Sequence, residues 1–300
     1  MRTFAFSALK VLFQRRERRD TRRIAEKRPE MKLSTCLAIC LISTIALTAP
    51  LQAQTPSETE VKLELNEAAA AYRKGNFAEA QTHSEKALQL DPESRTAMIF
   101  VARTIHAQYK PDDFTPENVA KAREAIIAYQ RVLDHSLVDE ESYKAVAYLY
   151  SAIKEDQLLH EWVLQRARNV AVADDKRAGA YVVLASWDWD CSFKITELPG
   201  VKVTVVTGDK PHVIYKMPKA RGEFERAKQC ANRGLDLVNM AITLTPEDVT
   251  PWSYKTHLIL ELAKLAEMSG EVQQKAEFYR QYEEALKETT RLSDRPPSKP

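Results

Sequence analysis

The sequence predicts an all-α protein in which short helices pack on one another as successive hairpins, with one β-hairpin inserted late in the chain. Apolar residues recur at helical spacing from about residue 60 almost to the C-terminus. Turn and stop signals such as Gly75-Asn76 and Pro92 divide this pattern into pieces of one helix each. Between residues 201 and 216, β-branched residues alternate instead with polar ones, which is typical of strands.

The clearest helical hairpin spans residues 61–94. Its two helices each have one apolar or small-residue face, made by Leu65, Ala68, Ala69, Tyr72, Phe77, Ala80, Ser84, Ala87 and Leu88. Gly75 allows a sharp turn between the helices because glycine adopts positive φ without steric cost. Pro92 ends the second helix, since the residue before a proline is disfavoured in helical geometry.

Four further hairpins are predicted downstream, and their patterns are more degenerate. They cover residues 95–135, residues 139–172, a pair that begins near Asp174 and resumes at Gly222, and residues 249–292. The last residues, 293–300, form a proline-rich tail that is predicted to be disordered.

The interruption of the fourth hairpin is predicted to be a β-hairpin within an insertion at residues 191–219. Residues 201–206 alternate with β-branched side chains, Gly208-Asp209 can form a two-residue turn, and residues 212–216 return. An isolated β-hairpin is marginally stable, so an additional constraint is expected there.

The first helical hairpin resembles a tetratricopeptide repeat (TPR). The resemblance rests on a length of 34 residues and on small, aromatic and proline residues at the family's positions: Ala68, Ala80, Ala87, Tyr72, Phe77 and Pro92. Ser84 departs from the pattern, because an aromatic residue is usual there. The resemblance covers roughly residues 61–292, strongly at 61–94 and moderately at 222–285.

The TPR resemblance implies a right-handed α-solenoid of about five helix-turn-helix units, whose first helices line a concave groove that binds a peptide or partner helix. The positions that would face this groove are Arg103, His106, Lys144, Tyr148, Ser186, Trp189 and His257. The alternative is that these side chains merely face solvent. Leu65 and Ala69 stand where members that clamp a C-terminal carboxylate have Lys and Asn, so that mode is not expected.

Residues 31–53 match a secretory signal peptide. Met31-Lys32 precede an uncharged apolar run, and Ala53 is a small residue at the expected cleavage point. The sequence therefore predicts a mature protein that starts at Gln54 and is periplasmic or secreted.

Three interpretations of the basic extension at residues 1–30 stay open. The first is an over-extended start, with the protein beginning at Met31. The second is a cytoplasmic tail, with residues 33–51 retained as an inner-membrane anchor. The third is a twin-arginine export signal at Arg22-Arg23. All three place the helical region outside the cytoplasm.

Two cysteines, Cys191 and Cys230, remain after the signal peptide. An even count in an oxidising compartment favours a disulfide between them. Such a bond would staple the β-hairpin insertion and, on the chain-entropy model, stabilise the fold by about 4 kcal/mol. The alternative is two separate buried thiols.

Charge and motif content argue against several classes of function. The chain has 44 Lys and Arg against 42 Asp and Glu, but eleven basic and four acidic residues precede Gln54, so the remainder has a net charge of −5. No basic face for nucleic acid is expected. With seven glycines there is no phosphate-binding loop, and His160-Glu161 lacks the second His of a zinc-protease helix because Leu164 stands there. No cofactor or metal is expected.

The segment 187–191, Trp-Asp-Trp-Asp-Cys, allows two interpretations. One is a metal or ligand site that uses Asp188, Asp190 and His212. The favoured one is an aromatic helix end with exposed carboxylates and a disulfide at Cys191.

The sequence thus predicts a non-catalytic scaffold of the bacterial periplasm or envelope that binds a protein or peptide. The alternatives are a membrane-anchored assembly factor and a ligand-binding or metal-binding module centred on residues 187–219.

Overall fold

The computed structural model describes residues 56–295, which form ten helices and one two-stranded antiparallel sheet. The all-α class with a single β-hairpin insertion is therefore confirmed. The predicted extension at 1–30, the signal peptide at 31–53 and the end of the chain from residue 296 lie outside the described residues. The described chain divides into two compact units, and the boundary lies between Ile153 and Lys154.

The first unit contains five helices. They are α1 (Pro56–Arg73), α2 (Phe77–Leu90), α3 (Arg95–His106), α4 (Pro116–His135) and α5 (Glu140–Ala152). Each helix packs on the next, and α1 also contacts α3. Ala68, Ala80 and Ala87 are completely buried, as expected for small residues where helices cross.

Short polar turns fix the beginnings of the helices in this unit. Gly75 has a φ of 82°, which confirms the predicted sharp turn between α1 and α2. The Asp139 carboxylate accepts the Ser142 backbone N–H at 2.8 Å and so caps α5. It also pairs with Arg95 at the start of α3, which ties the first turns of two successive first helices together.

The second unit contains the remaining helices and the sheet. They are α6 (Asp156–Arg168), α7 (Asp174–Thr196), β1 (Lys202–Thr207), β2 (Lys210–Tyr215), α8 (Arg221–Leu244), α9 (Val249–Met268) and α10 (Val272–Ser293). Helix α7 packs on α6, α8 and α9, α8 also packs on α9, and α9 packs on α10. The fourth and fifth predicted hairpins thus share one core.

The β-hairpin has the predicted two-residue turn at Gly208-Asp209, and β1 pairs with β2 from Lys202–Tyr215 to Thr207–Lys210. Its base packs on the helices: Tyr215 donates its backbone N–H to the Glu267 carboxylate at 2.9 Å and contacts an apolar cluster with Val201. The hairpin is therefore supported by α9 rather than isolated.

The insertion is shorter than the predicted range of 191–219. Helix α7 continues past Cys191 to Thr196, so the segment between helices is residues 197–220. The extra helical turn is stabilised because Ile195 is buried in the core, and because the Ser192 and Thr196 hydroxyls donate to the buried Glu261 carboxylate. These contacts come from α9, far along the sequence.

A disulfide joins Cys191 of α7 to Cys230 of α8, with 6.1 Å between the Cα atoms. The predicted pairing is confirmed, and the bond links the two helices that flank the β-hairpin. No helix within residues 56–295 is both long and apolar enough to cross a membrane.

Removal of this disulfide is expected to lower the free energy of unfolding by about 4 kcal/mol, because the bond closes a loop with a sequence separation of 39 residues. Urea unfolding of Cys191→Ser/Cys230→Ser, compared with wild type, measures the loss. Reductant should destabilise wild type by the same amount and leave the double variant unchanged. A loss below about 1 kcal/mol would contradict the chain-entropy estimate.

Candidate partner-binding surfaces

The seven residues predicted to face a groove all lie on the first helices of successive hairpins. They are Arg103 and His106 on α3, Lys144 and Tyr148 on α5, Ser186 and Trp189 on α7, and His257 on α9. Four belong to the first unit and three to the second, so two surfaces are described separately.

The first surface, the His106 face, consists of Arg103, His106, Tyr129, Glu141 and Tyr148. The His106 ring centroid lies 5.7 Å from that of Tyr148 and 5.8 Å from that of Tyr129. The His106 Nδ1 atom is 3.2 Å from the Tyr129 hydroxyl oxygen. Arg103 donates to Glu141 through two nitrogens, Nε at 2.8 Å and a terminal nitrogen at 2.5 Å. The structure thus brings predicted residues of α3 and α5 into contact.

Burial sets the protonation of this face. It lowers the pKa of His106, because charged imidazolium is disfavoured away from water, so the ring is neutral at pH 7. It also raises the pKa of Tyr129, which keeps the phenol protonated. Lys144 lies half-buried one turn before Tyr148 on α5. The His106 face therefore combines neutral aromatic rings with an exposed bidentate ion pair.

The second surface, the Trp189 face, consists of Trp189, Phe193, Tyr254 and His257. The Trp189 ring centroid lies 4.9 Å from Phe193, 5.4 Å from His257 and 6.4 Å from Tyr254. His257 keeps an exposed edge, while desolvation of its ring lowers its pKa. Two predicted residues, Trp189 and His257, are therefore in contact between α7 and α9.

Ser186 differs from its prediction. Its side chain is buried, and its hydroxyl donates to the Val183 carbonyl at 2.7 Å. Its hydroxyl also interacts with the side chain of Tyr254, so Ser186 contacts a member of the Trp189 face but is itself buried. A serine in a helix often bonds the preceding turn in this way, which its position in the pattern alone does not reveal.

Four members of these faces were not predicted from the sequence: Tyr129, Glu141, Phe193 and Tyr254. Phe193 lies four residues after Trp189, and Tyr254 lies three residues before His257. Residues three or four apart share one side of a helix, so this spacing could have identified both. Tyr129 lies on α4, a second helix, and its contact with His106 has no comparable local signal.

The prediction that both aspartates of segment 187–191 are exposed is wrong, because Asp188 is buried and Asp190 is half-buried. Asp188 is buried and accepts two hydrogen bonds from Arg233 of α8, one of them at 2.8 Å. Asp190 pairs with Lys194 on its own helix. Arg233 is 45 residues away in sequence, so the local pattern of Trp and Asp gives no sign of it.

Asp188 and Asp190 thus each have a cationic partner, and His212 is exposed on β2. Within the described part of the chain, no group of three or more His, Cys, Asp or Glu is placed to hold a metal ion. The metal alternative therefore has no candidate ligand cluster among residues 56–295.

A buried ion pair lies between the Trp189 face and the β-hairpin. Glu261, which is 1% exposed, accepts hydrogen bonds from Thr196 at 2.8 Å and from Lys264 at 2.7 Å. The Lys264 ammonium also lies 5.1 Å from the ring centroids of Phe193 and Tyr215. Burial lowers the pKa of Lys264, but Glu261 and Glu197 raise it by more, so the ammonium stays charged. This network fixes the hairpin beside the aromatic rings.

Acidification is expected to lower the free energy of unfolding through His106 and His257, one on each face. The folded pKa values of His106 and His257 lie below the ordinary value of 6.5, so below that pH the unfolded chain binds protons that the folded chain does not. This contribution to stability is fully present above pH 6.5 and is lost as the pH falls through the folded values. Urea unfolding at pH 7.5 and pH 5.5 should show a smaller loss for His106→Phe/His257→Phe than for wild type. Equal losses of stability in wild type and in the double variant would contradict the predicted contribution of the two histidines.

Comparisons with known proteins concern the fold only. No protein-family model matches the chain, and no curated protein matches it. The protein is similar to solved TPR structures. These include a MamA protein (12% identity, 78% of this chain and 94% of that one, TM-score 0.37) and YrrB, described as a TPR protein with an unusual peptide-binding site (9%, 75% and 99%, 0.33). A further example is a TPR protein from Parabacteroides merdae (14%, 77% and 99%, 0.32). TM-scores this low carry no argument about the fold. The fold is assigned from the arrangement of the helices described above.

Proposed function

We propose that this protein is a non-catalytic scaffold of the bacterial periplasm or cell envelope that binds a protein partner on the His106 and Trp189 faces. One observation carries the proposal. Residues that the TPR pattern places toward a groove meet in pairs between first helices, His106 with Tyr148 and Trp189 with His257. A scattered set of solvent-facing side chains would have no reason to converge in this way.

The chemistry of the two faces suits a protein or peptide ligand. Aromatic side chains and arginine dominate the binding energy of protein interfaces, because they bury large areas at low entropic cost. Tyr148, Trp189 and His257 are already stacked on neighbouring rings, so little additional ordering is needed on binding. An extended peptide or an amphipathic helix is the expected ligand.

Affinity capture from an envelope extract tests the binding proposal. Wild type should retain a specific partner that is depleted at least tenfold with Tyr148→Ala or with His257→Ala. The matched control is Ile127→Ala, because Ile127 is 67% exposed but lies outside both faces. Circular dichroism should show all three variants folded. Equal capture by all of them would overturn the assignment of the faces.

The compartment is a separate part of the proposal, supported by the signal-like segment 31–53 and by the Cys191–Cys230 disulfide. Mass spectrometry of the mature N-terminus tests it. A start at Gln54 is expected. A chain that retains residues 33–51 in the membrane fraction would instead support the anchored assembly factor.

A further inference from the structure

Helix α10, the last helix of the described chain, has two different sides. Its inner side packs on the second unit, with Ala285 and Leu292 buried and Phe278 in contact with the apolar cluster that includes Leu262 and Leu265. These contacts attach α10 to α9. The outer side of α10 makes none of these core contacts and is exposed.

Three large apolar residues are exposed on the outer side of α10: Val272 at 76%, Tyr279 at 43% and Leu286 at 42%. They are seven residues apart, so they form a stripe along the helix about 21 Å long. A contiguous exposed apolar patch marks an interaction surface. The stripe is therefore expected to be covered.

The charges of α10 favour a second copy of the same helix as the partner that buries the stripe. Between Val272 and Ser293 there are four Lys or Arg and four Asp or Glu, so two copies carry no net repulsion. In an antiparallel pair centred on Tyr279, Val272 lies level with Leu286 of the second copy, and Glu283 lies level with Lys275 of the second copy. A parallel pair would instead place Glu283 level with itself, which is unfavourable.

The environment of Lys275 supports the antiparallel arrangement. Its ammonium lies 2.8 Å from Glu267 and 5.8 Å from the Tyr279 ring centroid, so a positive charge is held at the edge of the stripe. A carboxylate from a second copy would reach it at the rim of the contact, where charge complementarity selects orientation.

We propose that two copies of this protein associate through the Val272–Tyr279–Leu286 stripe of α10, antiparallel and around a twofold axis near Tyr279. The stripe shares no residue with the His106 and Trp189 faces, so a dimer would contain two copies of each face. A contact of one helix with one helix is small, and the dimer is therefore reversible and concentration-dependent.

Sedimentation of the full chain over a concentration series tests the association. The mean mass of wild type should rise toward twice that of the monomer, whereas Leu286→Asp should remain monomeric throughout. Ile127→Asp is the matched control, because it places the same charge at an exposed apolar site on α4, and it should dimerise like wild type. Wild type that is monomeric up to about 1 mM, the weak end of the affinity scale, or equal behaviour of the two variants, would overturn the proposal.

Cysteine crosslinking tests the orientation, in a background with Cys36 and Cys40 changed to Ser. Tyr279→Cys should form a covalent dimer by itself on mild oxidation. Val272→Cys alone should not, but mixed with Leu286→Cys it should form the mixed dimer. Self-crosslinking of Val272→Cys would indicate a parallel pair, and dimers with a different partner protein would indicate another occupant; each would refute the antiparallel pair.

Discussion

Gly234→Val is expected to lower the free energy of unfolding by about 3 kcal/mol, because α8 has no room for a side chain at this position. A Cβ atom at residue 234 would lie 2.7 Å from Leu258 Cδ2 and 3.0 Å from Asp188 Cβ. Leu258 is fully buried, so it cannot move aside without disturbing the core shared by α7, α8 and α9. Urea unfolding measures the loss.

Gly179→Ala is the matched control for Gly234→Val. Gly179 is also within a helix, α7, but nothing lies within 4 Å of the Cβ that would be added. This variant should gain up to about 1 kcal/mol from helix propensity. A loss below about 1 kcal/mol for Gly234→Val would show that the close approach of the helices does not limit packing at this position.

Lys264→Met is expected to cost about 3–5 kcal/mol, because it leaves the buried Glu261 carboxylate without its cation. Ser192 and Thr196 would still donate hydrogen bonds, but neither neutralises the charge. The double variant Glu261→Leu/Lys264→Met should recover most of the loss, since an apolar pair of similar volume has no charge to desolvate.

A double-mutant cycle in urea unfolding measures the coupling between Glu261 and Lys264. The control is Lys194→Met, which removes a lysine from an exposed pair with Asp190 on α7 and should change stability by less than about 1 kcal/mol. Additive losses in the Glu261/Lys264 cycle would show that the two residues do not stabilise the hairpin base as one unit.

Features specified by nearby residues were predicted correctly from the sequence. The second hairpin was predicted at 95–135, and α3 begins and α4 ends at those residues; the Ser94 cap at the start of α3 and Pro116 at the start of α4 are local signals. The β-hairpin turn at Gly208-Asp209 is a two-residue signal of the same kind.

Features that depend on distant partners were missed. Asp188 is buried because Arg233 reaches it from another helix, and α7 is extended because Glu261 accepts bonds from its last turn. Neither partner is visible in the local pattern. The pairing of Trp189 with His257 was predicted as a shared face only through the TPR resemblance, and the structure supplies the contact.

The central claim is that the His106 and Trp189 faces bind a protein. Site-specific photocrosslinking in the native envelope tests it most directly, with a photoreactive phenylalanine at Tyr148, at His257 and at the control position Ile127. We expect the same protein to be crosslinked from Tyr148 and from His257, and not from Ile127. Crosslinking from Ile127 alone, or from none of the three positions, would contradict the claim.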